Sequence, residues 1–164
     1  YNSDMTEQAP NAHLTAAIWH WDVYYQAAIE TAMTCGGAEN FVTEMGGNAY
    51  YAGLSEGFVD ASTLNELVAA PGTAAAMEAV RELIDSGEWD VFSGVKLNIT
   101  VDAEAGTAAV EQVDAPLMSD GYELKDGEVV EMANPEIVPA GGASVTDDVI
   151  KSGMNYNVAG VVEG

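Results

Sequence analysis

Twenty-seven acidic side chains against four basic ones, Arg81, Lys96, Lys125 and Lys151, constrain this chain more than any motif within it. At a formal charge of −23 the compact state repels itself, so folding requires that the repulsion be screened. At about 1 M salt the Debye length falls to about 3 Å and most repulsion between exposed groups disappears. The scarcity of lysine beside so many carboxylates points to a salt-loving source. The same imbalance excludes partners. Nothing here neutralises a row of phosphates, so no nucleic-acid partner is expected, and an anionic membrane surface is disfavoured for the same reason. Charge of this size accompanies low hydrophobicity in disordered chains, yet 48% of these residues are hydrophobic and 8% aromatic, which is a globular composition. At 164 residues the chain fits one domain and is long enough to bury a sizeable core.

No apolar run approaches the roughly 20 residues that span a bilayer, and no charged-then-apolar leader opens the chain. The sequence begins at Tyr1 and runs straight into "YNSDM", which reads as an excised or processed piece of a longer protein. Cys35 is the single cysteine, so a disulfide within the chain is ruled out. Set in "TCGG" just past a helical stretch, it reads as an inert, partly buried thiol. Asn98-Ile99-Thr100 has the spacing of an N-glycosylation acceptor, a weak pointer to an extracellular location.

Strand-like and helix-like segments alternate in the first half. "HLTAAIW", His13 to Trp19, has the pattern of a short buried strand. Asp22 is placed to cap a helix running to about Met33, with Tyr25, Ala28, Ile29 and Ala32 as its apolar stripe and Gly36-Gly37 as its stop. "AYYAGL" and "GFVDAS" read as extended pieces around Gly57. A second helix is predicted over 73–86, with Met77, Val80 and Ile84 on one face, Glu78 and Glu82 on the other, and Gly87 as its stop. "WDVFSG" then reads as a further strand, with Trp89 packing the last α/β layer.

Beyond residue 94 the pattern changes. "VKLNITV", "TAAVEQV" and "YELKDGEVVEM" are strand-like and separated by the turn-forming "DAEAG" and "KDGE", so a pair of β-hairpins is expected. A loop over "PEIVPAGGAS", a short helix over "VTDDVIKSG" capped near Thr146, and a strand over "YNVAGVVEG" complete the chain. Met5, Met33 and Met77 read as core filler.

Residues that carry chemistry are few. His13 and His20 stand seven apart, not at the four-residue step that aims two imidazoles at one ion, so no metal is expected. "DAEAG" lacks the alternating ligands and closing Glu of a calcium loop, and the many carboxylates read as a solvated surface. Ser3, His20 and Asp22 supply the residue types of a triad, but no serine sits in a G-x-S-x-G elbow, so catalysis is not expected. A G-x-G-x-x-G or Walker loop is absent from the sequence, so no nucleotide phosphate has a cradle and no cofactor is implied.

The order of the pieces is more specific than any one of them. "YNSDM", "HLTAAIWHWDVYY", "YYAGLSEGFVDAS", "VRELIDSGEWDVFSG" and the closing "MNYNVAGVVEG" together resemble the C-terminal half of the basic membrane protein family. That family comprises substrate-binding lipoproteins of ABC transporters, similar to purine-nucleoside receptors. The resemblance implies an α/β architecture, part of a two-lobed, Rossmann-like type I periplasmic-binding-protein fold with a β-hairpin-rich insert. In that frame residues 1–20 form the end of one lobe and the crossing between lobes, 21–94 an α/β lobe segment, 95–145 the β-rich insert, and 146–164 a terminal helix and strand. The stretch from about Leu97 to Ser144 is longer than the family pattern, and the N-terminal half with its ligand contacts is not part of this chain.

The resemblance also implies a site. Asp4, of "NSD", falls at the interlobe cleft, where the family's carboxylate accepts hydrogen bonds from ligand hydroxyls such as those of a ribose; read alone, it is a turn or cap residue. Trp19 falls where nucleoside-binding relatives carry a lysine, and His20 sits beside it at the strand end. An indole offers a flat apolar face for stacking where an ammonium offers a point charge, so the ligand class is a nucleoside or a similar small polar ring compound. Trp21, Tyr24 and Tyr25 read as packing. The implied protein is not an enzyme but an extracytoplasmic receptor for a small-molecule ligand. Its partner would be an ABC permease, and its membrane tether an N-terminal lipid anchor outside this chain. The competing reading is a cell-surface interaction module with a vestigial cleft, whose β-rich insert binds another protein.

Overall fold

A computed structural model describes residues 4–161. Tyr1 to Ser3, and with Ser3 the imagined triad, lie outside the described residues, as do the last three positions of the expected terminal strand. The chain is a mixed α/β protein built from small antiparallel sheets and a few helices. It divides into two compact units, one containing the chain up to Ala74 with Ala103–Gly106, the other Ala75–Asp102 and the chain from Thr107 onward. Among the described residues every strand pairing is antiparallel.

In the first unit, strand β1 (Ala17–Trp19) pairs with β2 (Val59–Ala61) in the register Ala17↔Ala61, Ile18↔Asp60, Trp19↔Val59. The predicted strand from His13 is thus realised only in its last three residues. Helix α1 (Trp21–Thr34) follows at once. Its N-cap is His20, with no side-chain cap bond, and Asp22 lies inside the first turn rather than capping it. There the Asp22 charge still favours the helix through its dipole. Cys35, half-buried, closes α1, its backbone N–H donating to Thr31 O and its thiol lying 3.2 Å from Gly37 O. A second helix, α2 (Ala38–Glu44), follows where sequence periodicity marked nothing.

Burial in this unit is mostly polar. Asn65 is buried and acts as a latch, its Nδ2 donating to Pro10 O (2.7 Å) and His13 O (2.8 Å) and its Oδ1 accepting from Leu67 N. Buried Ser62 accepts from Ala16 N through its hydroxyl and from the Thr15 hydroxyl through its carbonyl. Both obey the rule that buried polar groups are paired. The expected apolar stripe of α1 is largely solvent-exposed, with Tyr25, Ile29 and Ala32 uncovered and Ala28 half-buried; Met33 at 81% and the exposed Met5 are not core filler. No residue of α1 is buried.

Helix α3 (Thr73–Asp85) matches its predicted span to within a residue. Met77, Val80 and Ile84 are half-buried while Glu78 and Glu82 are exposed, as the 3.6-residue period requires. "WDVFSG" is a turn rather than a strand. Asp90 Oδ1 accepts from Phe92 N, and Asp90 O from both the N–H and the hydroxyl of Ser93, so this aspartate offers the backbone a local alternative to a ladder. Trp89 is tied to the following strand by Nε1–H donating to Val95 O (2.8 Å).

The β-rich stretch forms as expected. Strands β3 (Val95–Asp102) and β4 (Thr107–Asp114) make one hairpin, in register from Val95↔Asp114 to Asp102↔Thr107. Strands β5 (Leu117–Lys125) and β6 (Glu128–Glu131) make the next, joined by Asp126-Gly127. Both turn residues have positive φ, 53° and 84°. Such a two-residue turn matches the strand twist, and Asp-Gly tolerates it. The supposed loop "PEIVPAGGAS" contains β7 (Glu136–Val138), which pairs with β5, and the "VTDDVIKSG" helix narrows to a π-wound turn at Val149–Gly153. Strand β8 (Tyr156–Val158) pairs with β5 as well.

Among the described residues of this unit Leu117 and Val138 are the buried apolar side chains, and Ser119 is buried as well. The hairpin base is closed at Gly94. Its N–H donates to Gly142 O (2.9 Å), and its carbonyl accepts from Ala115 N (2.9 Å) and Gly141 N (2.7 Å). Gly94 is buried, and a Cβ there would lie 1.9 Å from Pro139 O.

Candidate functional site

Six aromatic rings gather around the β1–β2 ladder. Trp19 ends β1 and Trp21 opens α1; two positions apart across the junction at His20, their indoles stack at 5.2 Å between centroids, 22° from parallel. Phe58, one residue before β2, is 3% exposed and stands edge-on to Trp19 (5.4 Å), Trp21 (5.6 Å) and Tyr50 (5.2 Å). Tyr24 packs on Tyr50 and Tyr25. Edge-to-face and offset pairs at these spacings are each worth about 0.5–1.5 kcal/mol beyond area burial.

The cluster is buried at its hub and open at its rim. Trp19 is 42% exposed and Trp21 44%, so a fixed indole pair stands partly open to solvent. Polar groups lie alongside. His20 donates its backbone N–H to Phe58 O (2.9 Å), and its Nε2 lies 3.9 Å from Asp60 Oδ2. Asp60 Oδ1 accepts from Ala61 N. Adjacent in sequence, Trp19 and His20 take different partners, the indole going to the rings and the imidazole towards Asp60.

Asp4 is elsewhere. Its Oδ1 accepts from both the backbone N–H and the hydroxyl of Thr6, the turn role that its sequence context allows. His13 Nε2 lies 3.3 Å away, off the line of a hydrogen bond. The Thr6 hydroxyl and then the Thr6 backbone hold the Asp4 carboxyl below its usual range, with the His13 ring and the Ser62 hydroxyl adding to the effect. Ser62 belongs to the Ala16 end of the β1–β2 ladder, whereas Trp19 and His20 belong to the opposite end. At about 3.3 Å per residue, the three steps from Ala16 to Trp19 separate these ends by about 10 Å. The structure therefore joins Trp19 to Trp21 and His20 to Asp60, but does not bring Asp4 into contact with either group.

Phe58, Tyr50 and Asp60 were not singled out by sequence reading. The signal for Phe58 and Asp60 is the β1–β2 register, which brings "FVDA" against "AIWH"; Tyr50 lies outside that register and joins through its ring contacts with Tyr24 and Phe58. Among the described residues no group of His, Cys, Asp and Glu is arranged to hold a metal ion, and no helix is long and apolar enough to cross a membrane. Compared with protein-family models, curated proteins and solved structures, the chain matches none.

Proposed function

We propose that this chain is the C-terminal part of an extracytoplasmic solute-binding receptor, of the type I periplasmic-binding-protein class, that delivers a nucleoside or similar polar ring compound to an ABC permease. Tethering is by a lipid on a segment outside this chain, and the mechanism is binding and lobe closure rather than chemistry. The observation that carries the reading is the Trp19–Trp21 pair, two stacked indoles held by buried Phe58 and half open to solvent. A pre-formed flat face binds a ring without the cost of ordering a mobile side chain. Asp4, beside Ser62 at the opposite end of the ladder, supplies the charged acceptor for hydroxyls at the far end of such a ligand.

Tryptophan fluorescence tests this in about 1 M salt, where self-repulsion is screened. Adenosine, adenine and ribose are titrated in turn. A saturable change with adenosine is expected. Trp19→Ala should weaken it by at least about fivefold, since base–indole stacking contributes about 1–3 kcal/mol. Asp4→Ala should weaken adenosine by at least about tenfold and leave adenine unchanged, because a hydrogen bond to a charged group is worth about 1.5–3 kcal/mol. No response to any of the three from folded protein would remove the nucleoside assignment. The competing surface-module reading draws on the exposed Ile99 and Val101 of β3, and gains only if the protein fails to bind small rings.

A further inference from the structure

The second unit carries a cavity of about 510 Å³ along β5, β6 and the 154–157 segment. That volume lies in the range of small-molecule sites. It is an open hollow lined by Asp120, Tyr122, Leu124 and Val129, which share one face of the sheet, and bordered by Glu123 and Tyr156, which pair with each other at the alternate positions. The lining includes no Lys, Arg or His.

Hydrogen bonds hold both carboxylates in place. Asp120 Oδ1 accepts from Tyr122 N (3.0 Å) and its Oδ2 lies 3.4 Å from Asn157 Nδ2. Glu123 Oε2 accepts from Asn155 Nδ2 (3.1 Å), and the same amide donates to Leu124 O (3.1 Å). A carboxylate offers about four acceptor sites, so these bonds position each group without consuming its charge. Fixed negative charge beside a tyrosine and the aliphatic side chains of Leu124 and Val129 is the complement of a cation with an apolar body. Aromatic faces attract cations of this kind, and a quaternary ammonium loses little hydration in making the contact.

We propose that this open hollow is a second binding site, for a small organic cation of the quaternary-ammonium type, with Tyr122 as its aromatic wall, Asp120 as its counter-charge, and Glu123 and Tyr156 at its border. The site lies within one unit and is independent of the nucleoside reading.

Choline is the probe, and its uncharged isostere, in which carbon replaces the quaternary nitrogen, is the control. Proton–nitrogen correlation spectra are recorded on the whole chain in about 1 M sodium chloride, where diffuse attraction to the −23 surface is screened. Choline is expected to shift the amides of Tyr122, Tyr156 and Asn157 saturably, and to bind at least about fivefold tighter than the isostere. Asp120→Asn, which keeps the acceptor for Tyr122 N, should weaken choline by a similar factor. Equal binding of choline and isostere, shifts spread over the acidic surface without saturation, or no shifts at all would each overturn the proposal. Should Asp120→Asn unfold, the comparison of the two probes on the unaltered chain still decides it.

Discussion

Phe58→Ala is expected to unfold the first unit. Removing a buried phenylalanine costs about 3–5 kcal/mol, while whole domains are stable by about 5–15 kcal/mol. Here the loss falls on the one buried apolar side chain among the described residues of that unit, and three ring contacts go with it. The indoles lose the edge that holds them stacked, so the tryptophan emission should move to the red and the denaturation midpoint in salt should fall or vanish. Trp19→Ala gives the contrast. Half-exposed, Trp19 contributes less to stability and more to any ligand, so its loss should spare the fold while weakening ligand binding by the same factor of about five or more, read through the remaining tryptophans. A Phe58→Ala protein that unfolds at the same denaturant concentration as the parent would show that the rings hold one another without their hub.

Gly94→Ala is the second large effect. The added methyl would lie 1.9 Å from Pro139 O, 2.7 Å from Gly142 N and 3.0 Å from Pro139 C. These are backbone atoms, which cannot swing aside as a side chain would. Overpacking typically costs about 1–3 kcal/mol, occasionally more; here relief requires breaking the bonds from Ala115 and Gly141 to the Gly94 carbonyl as well. The expected outcome is a loss of several kcal/mol, read as a drop in melting temperature and as faster hydrogen exchange at the Ala115 and Gly141 amides. A variant with unchanged exchange at those two amides would refute this account of the hairpin base.

Local chemistry was legible where it is self-contained. Asp126-Gly127 demands a two-residue turn whatever surrounds it, and the β5–β6 hairpin follows from it. Helix α3 announces itself through Met77, Val80 and Ile84 at helical spacing and Gly87 beyond its end. Elsewhere competition decided. Asp90 could belong to a strand or fold the chain back on its own carboxylate, and the carboxylate won. The three residues Glu136–Val138 read as loop because Pro135 and Pro139 flank them, yet pairing with β5 gives them a ladder. The candidate site was legible in its strand-end residues and not in its partners. Trp19 stands out in any window, but that it meets Phe58, and that Asp4 lies at the other end of the ladder, depends on pairing between segments some forty residues apart. No periodicity within either segment encodes that register.

Burial in this chain is sparse. Among the described residues Phe58, Leu117 and Val138 are its buried hydrophobic side chains, and the rest of its order rests on ladders, on latches such as Asn65, and on half-covered rings. The heat capacity change of unfolding comes chiefly from apolar surface newly wetted, and an ordinary domain yields about 12–15 cal/mol/K per residue. With so little apolar surface to uncover, this protein should fall well below that figure, and calorimetry would read the difference directly. A small heat capacity change flattens the dependence of stability on temperature. Cooling and moderate warming then alter the folded population little, and dilution of the surrounding salt, which restores the mutual repulsion of the carboxylates, becomes the stress to which the molecule is most exposed.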